Sequence, residues 1–323
     1  MTTICIFGAG AIGGYVGARL AMKGEAEVSL VARGPHLAAM KSHGLVLKQA
    51  GETHTVHPKV TGDPSELGPQ DYIILTLKAH AVAGVIDQMQ PLIGPHTAIL
   101  FAQNGIPWWY FHGLGGPHQG RTLESVDPGG TIWKRIGPER ALGCVVWQAA
   151  EIEAPGVIAH HYGDRMPIGE PSGERTPRAV ELGRLLTSAG IKSPVRPNLR
   201  NEIWLKLWQN LSFNPVSVLT NGTLAQLAAD PGTRRVIGAM MEEARAVAET
   251  FGITFLVDVE ERIGMTAKAG AHRTSMLQDV EAGRPAELEA LLGVVIELGR
   301  LVKRDTPSLQ LVYDLVKFRA RTG

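Results

Sequence analysis

Cysteine is scarce in this sequence, whose 323 residues include only Cys5 and Cys144. Both lie in apolar stretches typical of strands, which favours buried, unreactive side chains over redox chemistry and fits a reducing cytoplasm. Neither sign of charge is in excess, because 32 basic and 31 acidic residues leave a net charge of +1. No basic run stands out, so binding to nucleic acid or to an anionic membrane is not indicated.

Long hydrophobic runs are also missing. The N-terminus is apolar, but it lacks the basic segment of a signal peptide, and Arg19 and Lys23 interrupt it. The eleven histidines show no metal-ligand spacing, and His160–His161 read as part of a strand. We therefore expect a cytoplasmic protein with no membrane, nucleic-acid or metal partner. Its length suffices for two hydrophobic cores.

The first two thirds of the sequence alternate short apolar runs with helical patterns. Nearly continuous apolar runs are typical of parallel strands covered on both faces. Strands are predicted at 4–7, 28–32, 72–77, 98–102, 142–149, 156–162 and 165–169, and helices at 11–23, 35–43, 80–90 and 177–190. This alternation predicts an α/β fold with a doubly wound sheet of the Rossmann type.

From about residue 199 onward the pattern is helical, with little strand signal. We place a boundary near Pro197, which predicts a nucleotide-binding domain at 1–196 and an all-helical substrate and catalytic domain at 197–323. Segment 106–140 is rich in Gly, Pro, Trp and His and is long for a connection. Such a segment indicates an ordered functional loop or a mobile lid.

A glycine motif opens the chain. Gly8, Gly10 and Gly13 fit the spacing G-x-G-x-x-G, directly after a predicted strand and at the start of a predicted helix. In that context Gly8 permits a tight turn, Gly10 lets the backbone approach a pyrophosphate, and Gly13 lets the helix pack against the strand. The free N–H groups of the helix N-terminus then face the phosphates.

The end of the second strand indicates which dinucleotide is bound. NAD sites usually place an acidic residue there to bind the ribose 2′-hydroxyl, whereas this sequence reads "SLVARG" with Arg33. A planar cation suits a 2′-phosphate. Lys78 follows another strand and lies on the same carboxyl edge of the predicted sheet. Together the two residues favour NADP over NAD.

A second constellation lies in "NEIWLKLWQNLSFNP". Glu202, Lys206, Asn210 and Asn214 recur every four residues and therefore share one stripe of a helix, between bulky apolar flanks. A plain amphipathic helix with a wet stripe explains the spacing equally well. Asparagine is a mediocre helix former, however, and a lysine with two amides in an apolar cleft could donate to a substrate carboxylate and carbonyl.

A third segment, "TSMLQDVEAGRPAELEALLG", contains Ser275 and Glu287 on either side of a predicted turn at 282–285. Glu287 is expected in the first turn of the last long helix. From the residues alone, the better explanation of Glu287 is a carboxylate favoured by the helix dipole.

The chain resembles the ketopantoate reductase family, the 2-dehydropantoate 2-reductases. The matching segments, in the order of the family and over almost the whole chain, are "GAGAIGG", "LVAR", "LTLKA", "FAQNG", "EIWLKLWQNLSFNP", "TSMLQD", "AELEALLG" and "TPSLQLVYDLVK". The resemblance implies a Rossmann domain followed by a helical domain. It also implies reduction of the 2-keto acid ketopantoate to pantoate with NADPH, a step towards coenzyme A.

The resemblance assigns a role to each matching residue. Lys206 is the general acid, Asn104 touches both cofactor and lysine, and Glu287 lies near the nicotinamide ribose and the substrate. Lys206, Asn210, Asn214 and Ser275 bind substrate. NADPH is bound by Asn104 and Glu287 together with Gly8, Ala9, Gly10, Ala11, Ile12, Gly13, Arg33 and Lys78. A cation that yields a proton suits this chemistry, because hydride addition builds negative charge on the carbonyl oxygen.

Some residues depart from the family pattern. The segment 106–134 is longer than usual and contains Trp108, Trp109, Tyr110 and Phe111, which we expect over the cleft or in a subunit contact. Trp208 stands beside Lys206 where the family tends to have a small residue, Leu224 falls where one member has asparagine, and Glu289 replaces an aspartate. We therefore hypothesise a substrate range shifted towards bulkier or more apolar 2-keto acids.

Two alternatives stay open on the sequence. One is a related NADP-dependent reductase of another small keto or hydroxy acid; the other is a cofactor-binding sensor without turnover. The presence of "TSMLQD" argues against the first, and the presence of Lys206 and Glu287 argues against the second. The sequence leaves open whether the chain forms a homodimer.

Overall fold

The computed structural model describes residues 1–268 and 270–322, which form two compact units. The first unit comprises Met1–Gln103, Trp109–Thr122 and Thr131–Leu199. The second comprises Asn104–Trp108, Leu123–Gly130 and the chain from Arg200 onward. Two short segments from the first half of the sequence therefore belong to the second unit. The functional boundary at residues 196 and 197 stays a prediction.

A seven-stranded sheet forms the centre of the first unit. Its strands are β1 (Thr3–Phe7), β2 (Glu27–Val31), β5 (Lys59–Thr61), β6 (Gln70–Leu75), β7 (Ile93–Phe101), β8 (Ala141–Cys144) and β11 (Ile168–Gly169). Their order is β11-β8-β7-β6-β1-β2-β5, with β1 parallel to both β2 and β6 and with β11 antiparallel to β8. The predicted α/β fold with a Rossmann-type sheet is confirmed, because the apolar runs pair side by side.

A smaller sheet of four strands was not predicted as a separate layer. It contains β3 (Leu45–Gln49), β4 (Glu52–Val56), β9 (Ala149–Ala154) and β10 (Val157–Tyr162), in the order β4-β3-β10-β9. β3 and β4 lack continuous apolar runs because much of this sheet faces solvent. In β10, His160 stacks on Tyr15 with ring centroids 4.4 Å apart.

The helices of the first unit are α1 (Ala11–Lys23), α2 (Gly34–His43), α3 (Ile86–Met89), α4 (Thr131–Ile136) and α5 (Pro177–Ser188). The single helix predicted over 80–90 is wrong. Two 3-10 turns, Ala79–Ala81 and Ala83–Val85, precede the short α3. Gly84 lies near the middle of the predicted helix. Glycine weakens a helix at such a position, because it loses more backbone entropy on folding than any other residue.

The second unit is helical. Its helices are α6 (Leu199–Thr220), α7 (Leu224–Ala229), α8 (Pro231–Glu249), α9 (Val259–Ala267), α10 (Ser275–Glu281), α11 (Val294–Leu301) and α12 (Pro307–Thr322). A π-helical segment, Glu289–Gly293, leads directly into α11. Within 200–268 and 270–322 no strand occurs, which confirms the predicted helical C-terminal region. Glu287 lies just before this π-helical segment, whereas the last long helix is α12.

Both cysteine side chains are buried, and neither forms a disulfide. Burial raises the pKa of the Cys5 thiol to about 12, so it stays protonated and unreactive at neutral pH. No helix in the described part of the chain is long and apolar enough to cross a membrane. Residues 1–268 and 270–322 also contain no group of three or more His, Cys, Asp or Glu side chains that could hold a metal ion.

Candidate active site

The glycine motif forms a tight turn between β1 and α1 in the first unit. Gly8 has a φ of 100°, a conformation that favours glycine, and its N–H and that of Ala9 donate to the carbonyl of Val31. The Thr76 hydroxyl donates to the carbonyl of Gly8 at 2.5 Å and fixes the turn from the neighbouring strand end. Sequence analysis missed Thr76, because nothing local to "LTLK" indicates which backbone group its hydroxyl reaches.

The three motif glycines are required for different reasons. A Cβ on Gly13 would lie 2.5 Å from Thr76 Oγ1 and closer still to the Gly8 carbonyl, so packing within the chain demands glycine there. A Cβ on Gly10 would meet no protein atom within 4 Å. The protein therefore gives no reason for glycine at residue 10, whereas the close approach of a pyrophosphate does.

The N-terminus of α1 can supply the hydrogen bonds for such a phosphate. The first intrahelical bond runs from the Gly14 N–H to the Gly10 carbonyl, so the N–H groups of Ala11, Ile12 and Gly13 have no acceptor within the helix. No acidic residue lies in the first turn. The residues present therefore fit the pyrophosphate of a dinucleotide.

Two cations flank this turn along the sheet edge. Arg33 is exposed, two residues after the end of β2, at the N-cap of α2. Lys78 is half-buried, three residues after the end of β6. Since β2 and β6 pair with β1 on its two sides, both cations follow the carboxyl ends of the strands next to the glycine turn. Their assignment to the 2′-phosphate stays a prediction.

A separate polar cluster lies in the second unit. Lys206 Nζ donates to Asn104 Oδ1 at 2.7 Å, and Asn104 Nδ2 donates to Glu287 Oε2 at 3.4 Å. All three side chains are half-buried. The asparagine thus presents its carbonyl to the ammonium and its amide to the carboxylate, so each end of the amide meets the charge that suits it. We refer to these three residues as the lysine line.

Asn104 is held in place by the residues that follow it. The Ile106 N–H donates to the carbonyl of Ala290 at 3.1 Å, inside the π-helical segment. Gly105 has a φ of 88°, and a Cβ there would collide with the same Ala290 carbonyl. The segment that carries Asn104 is therefore fitted against the π-helical segment that follows Glu287.

The π-helical segment has its own polar support from α12. Tyr313 Oη donates to Glu289 Oε1 at 2.5 Å, and Lys317 Nζ donates to Tyr313 Oη at 2.5 Å. Burial, followed by the Glu289 carboxylate, raises the pKa of Tyr313, and the hydrogen bond to Tyr313 raises the pKa of Lys317. π-Helical turns often occur at functional sites. Sequence analysis noted Glu289 as a departure but missed its partners, which lie in the next helix.

The remaining predicted substrate residues lie in the same unit. Asn210 and Asn214 follow Lys206 on α6 and are half-buried and buried, respectively, while Ser275 is exposed at the first turn of α10. Their side chains make no hydrogen bond to the described part of the chain. Amides that are removed from water without a protein partner are available to a ligand. Their role in binding the substrate stays a prediction.

Trp208 does not shape the stripe beside Lys206. Its indole is fully buried, donates to the carbonyl of Met241 at 2.7 Å and packs on Phe255 with centroids 4.4 Å apart. Side chains two residues apart are rotated by about 200° around the helix axis and so lie on nearly opposite faces. Trp208 therefore faces α8, while Lys206 faces Asn104. The expectation that Trp208 changes the pocket lining is wrong.

The aromatic run after Asn104 is also part of the protein interior. Trp108, Trp109, Tyr110 and Phe111 are each at most 2% exposed. In the first unit, Trp109 packs so closely on β8 that a Cβ on Gly143 would collide with its indole. These side chains therefore cannot form a subunit contact or line an open cleft. Segment 106–134 is ordered, and its last four residues, from Thr131 onward, form the start of α4.

Substitutions at two motif glycines should separate ligand binding from packing. We expect Gly10→Ala to keep the melting temperature of the wild type, because its Cβ meets no protein atom, but to weaken NADPH binding by about tenfold or more. Gly13→Ala should lower stability by about 1–3 kcal/mol through overpacking. Thermal unfolding and NADPH titration of both variants test this. Gly10→Ala with unchanged NADPH affinity would contradict it.

Gly105→Ala should disturb the lysine line. The strained φ and the collision with Ala290 should displace Asn104, and we expect kcat to fall by about a hundredfold. Gly252→Ala is the matched control: it lies in the same unit with a φ of 76°, but a Cβ there meets nothing within 4 Å. Steady-state kinetics of both variants decide the matter, and equal effects on kcat would refute the positioning role of Gly105.

Comparisons with known proteins identify the family. Residues 4–173 match the family described as "Ketopantoate reductase PanE/ApbA", and residues 198–320 match its C-terminal domain, "Ketopantoate reductase PanE/ApbA C terminal". The chain is 51% identical over 314 residues to a 2-dehydropantoate 2-reductase from Mesorhizobium japonicum, which covers 97% of this chain and 96% of the relative.

Solved structures show the same fold over the whole chain. A Ralstonia solanacearum MolK2 structure, provisionally described as a ketopantoate reductase, is 41% identical with a TM-score of 0.94 and covers 100% of this chain and 98% of the other. The 2-dehydropantoate 2-reductase from Geobacter metallireducens GS-15 is 28% identical with a TM-score of 0.84, covering 98% and 99%. The chain therefore belongs to the ketopantoate reductase family of NADP-dependent oxidoreductases.

Proposed function

We propose that this chain reduces ketopantoate to pantoate with NADPH and that Lys206 is the proton donor. The observation that carries the proposal is the lysine line, in which Asn104 holds the Lys206 ammonium on one side and meets Glu287 on the other. A positioned ammonium suits a reaction that builds negative charge on a keto oxygen.

NADPH, when bound, supplies the hydride that is added to the keto carbon. As charge develops on the keto oxygen, Lys206 Nζ donates a proton to it, and the product is the 2-hydroxy acid. An ammonium has three N–H donors, and the bond to Asn104 engages one of them in a defined direction. Asn104 therefore orients the proton donor before the substrate binds.

The amides of Asn210 and Asn214 and the hydroxyl of Ser275 are proposed to bind the polar groups of the substrate. This role is supported by their position in the same unit as Lys206 and by side chains that are not engaged by the described residues. Glu287 is proposed to contact the ribose or substrate while it positions Asn104 at 3.4 Å.

Ketopantoate is favoured over a shifted substrate range. A shifted range would require Trp208 and the aromatic run at 108–111 to line the cleft, but all of these side chains are buried in the interior. The relative that is 51% identical is a 2-dehydropantoate 2-reductase. NADPH oxidation with ketopantoate and with longer and aromatic 2-keto acids tests this assignment. A cytoplasmic location is proposed because neither cysteine is in a disulfide, which fits a reducing compartment.

Lys206→Ala should lower kcat by about 10²–10⁴-fold, the usual effect of removing a positioned acid–base group. NADPH binding should persist, because the glycine turn is unchanged. Lys41→Ala, an exposed lysine on α2, is the control and should keep wild-type kcat. Steady-state and binding measurements on both variants check the assignment, which fails if Lys206→Ala turns over ketopantoate at nearly the wild-type rate.

Arg33→Ala should weaken NADPH binding by about ten- to a hundredfold, the contribution of one charge-assisted phosphate contact. NADH lacks the 2′-phosphate, so its affinity should hardly change and serves as the internal control. Fluorescence titrations of both nucleotides against wild type and variant provide the test. An unchanged affinity for NADPH would show that Arg33 does not select the cofactor.

A further inference from the structure

Arg262, on α9, is a half-buried cation without a carboxylate partner among the residues that the structure describes. Its Nη2 donates to Gln209 Oε1 at 2.8 Å and lies 3.5 Å from the carbonyl of Leu205. Its Nε is fully buried without a hydrogen-bond partner. Burial lowers the pKa of this guanidinium, and no acid offsets that effect. A cation removed from water without a counter-charge is costly to the folded protein.

Other arginines of the helical unit show the contrast. Four of them form an ion pair with a carboxylate, namely Arg234, Arg245, Arg273 and Arg284. Arg262 instead has two neutral acceptors, an amide and a carbonyl oxygen. The two acceptors orient the guanidinium but do not neutralise its charge. The guanidinium has five N–H donors in a planar arrangement, which matches the two oxygens of a carboxylate.

The guanidinium lies beside the part of α6 that carries the proton donor. Leu205 and Gln209 flank Lys206 in the sequence, and residues three apart on a helix have Cβ atoms about 5–6 Å from each other. In a 2-keto acid the carboxylate carbon is bonded directly to the keto carbon. The group that binds the carboxylate and the group that protonates the keto oxygen must therefore lie close together, at a separation of about 5 Å, the pitch of one helical turn.

We propose that Arg262, oriented by Gln209, binds the carboxylate of the 2-keto acid substrate beside Lys206. The inference rests on the proposed function and adds the residue that recognises the acid group. Binding of the carboxylate supplies the counter-charge that the protein lacks at this place. A neutral ester or amide of the same substrate leaves the buried cation unpaired and is rejected for that reason.

The test compares ketopantoate with its methyl ester in wild type, Arg262→Met and Arg262→Lys. Arg262→Met should lower kcat/KM for the acid by about ten- to a hundredfold, mainly through KM, and leave the ester unchanged. The kcat/KM of Arg262→Lys for the acid should lie between those of wild type and Arg262→Met, because lysine keeps the positive charge but lacks the planar pair of donors. Arg245→Met removes an arginine that is paired with Glu242 in the same unit, and it should match wild type on both substrates.

A purely structural role of Arg262 gives a different pattern. If Arg262 only fastens α9 to α6, Arg262→Met lowers the melting temperature and reduces kcat/KM for acid and ester by the same factor. That result, or an unchanged preference for the acid, overturns the inference. If Arg262→Met does not fold, the ratio of kcat/KM for the acid to kcat/KM for the ester can still be measured in Arg262→Lys.

Binding of oxamate, a carboxylate that cannot accept a hydride, separates this inference from the proposed function. Suppose that wild type reduces no 2-keto acid but binds oxamate in calorimetry, and Arg262→Met does not bind it. The carboxylate site then stands and the proposed function fails. If both proteins bind oxamate equally, or neither binds it, the inference on Arg262 is wrong whatever the enzyme reduces.

Discussion

The hydrogen bond from Lys206 to Asn104 joins side chains 102 residues apart, and the proposed site of the helical unit is built around it. A half-buried ammonium needs acceptors, and the Asn104 side-chain carbonyl supplies one of them in a fixed direction. The amide nitrogen of the same side chain donates to Glu287, so the carboxylate holds the asparagine from its other end.

The position of Asn104 depends in turn on backbone geometry. Gly105 and Ile106 fit against the carbonyl of Ala290, and that carbonyl belongs to a π-helical segment supported by Glu289, Tyr313 and Lys317. The side chain of Glu289 is long enough to reach the hydroxyl of Tyr313 in α12.

The aromatic residues show why adjacency in sequence misleads about function. Trp108–Phe111 follow Asn104 directly, and Trp208 is two residues from Lys206, yet all are buried away from solvent. The large apolar area of these side chains favours the interior wherever the chain can bring them there. Here the sequence neighbours of Asn104 and Lys206 serve packing, while the two residues meet each other across 102 positions of the chain.

The sequence by itself determined the sheet, the glycine turn and the helical stripe, because each depends on periodicity or on a residue's own conformational limits. Gly8 is needed for its positive φ, and the apolar runs of β1, β2, β6 and β7 select a buried parallel sheet. The second sheet was not predicted as a separate layer: a strand was expected at 156–162, where β10 lies, but the half-exposed β3 and β4 carry a weaker pattern. Only the tertiary structure decided that Lys206 reaches Asn104, that Asn104 reaches Glu287, and that Arg262 is half-buried with no carboxylate partner among the described residues. Those relations join segments far apart in the chain, and no local preference of any residue encodes which distant group it will meet.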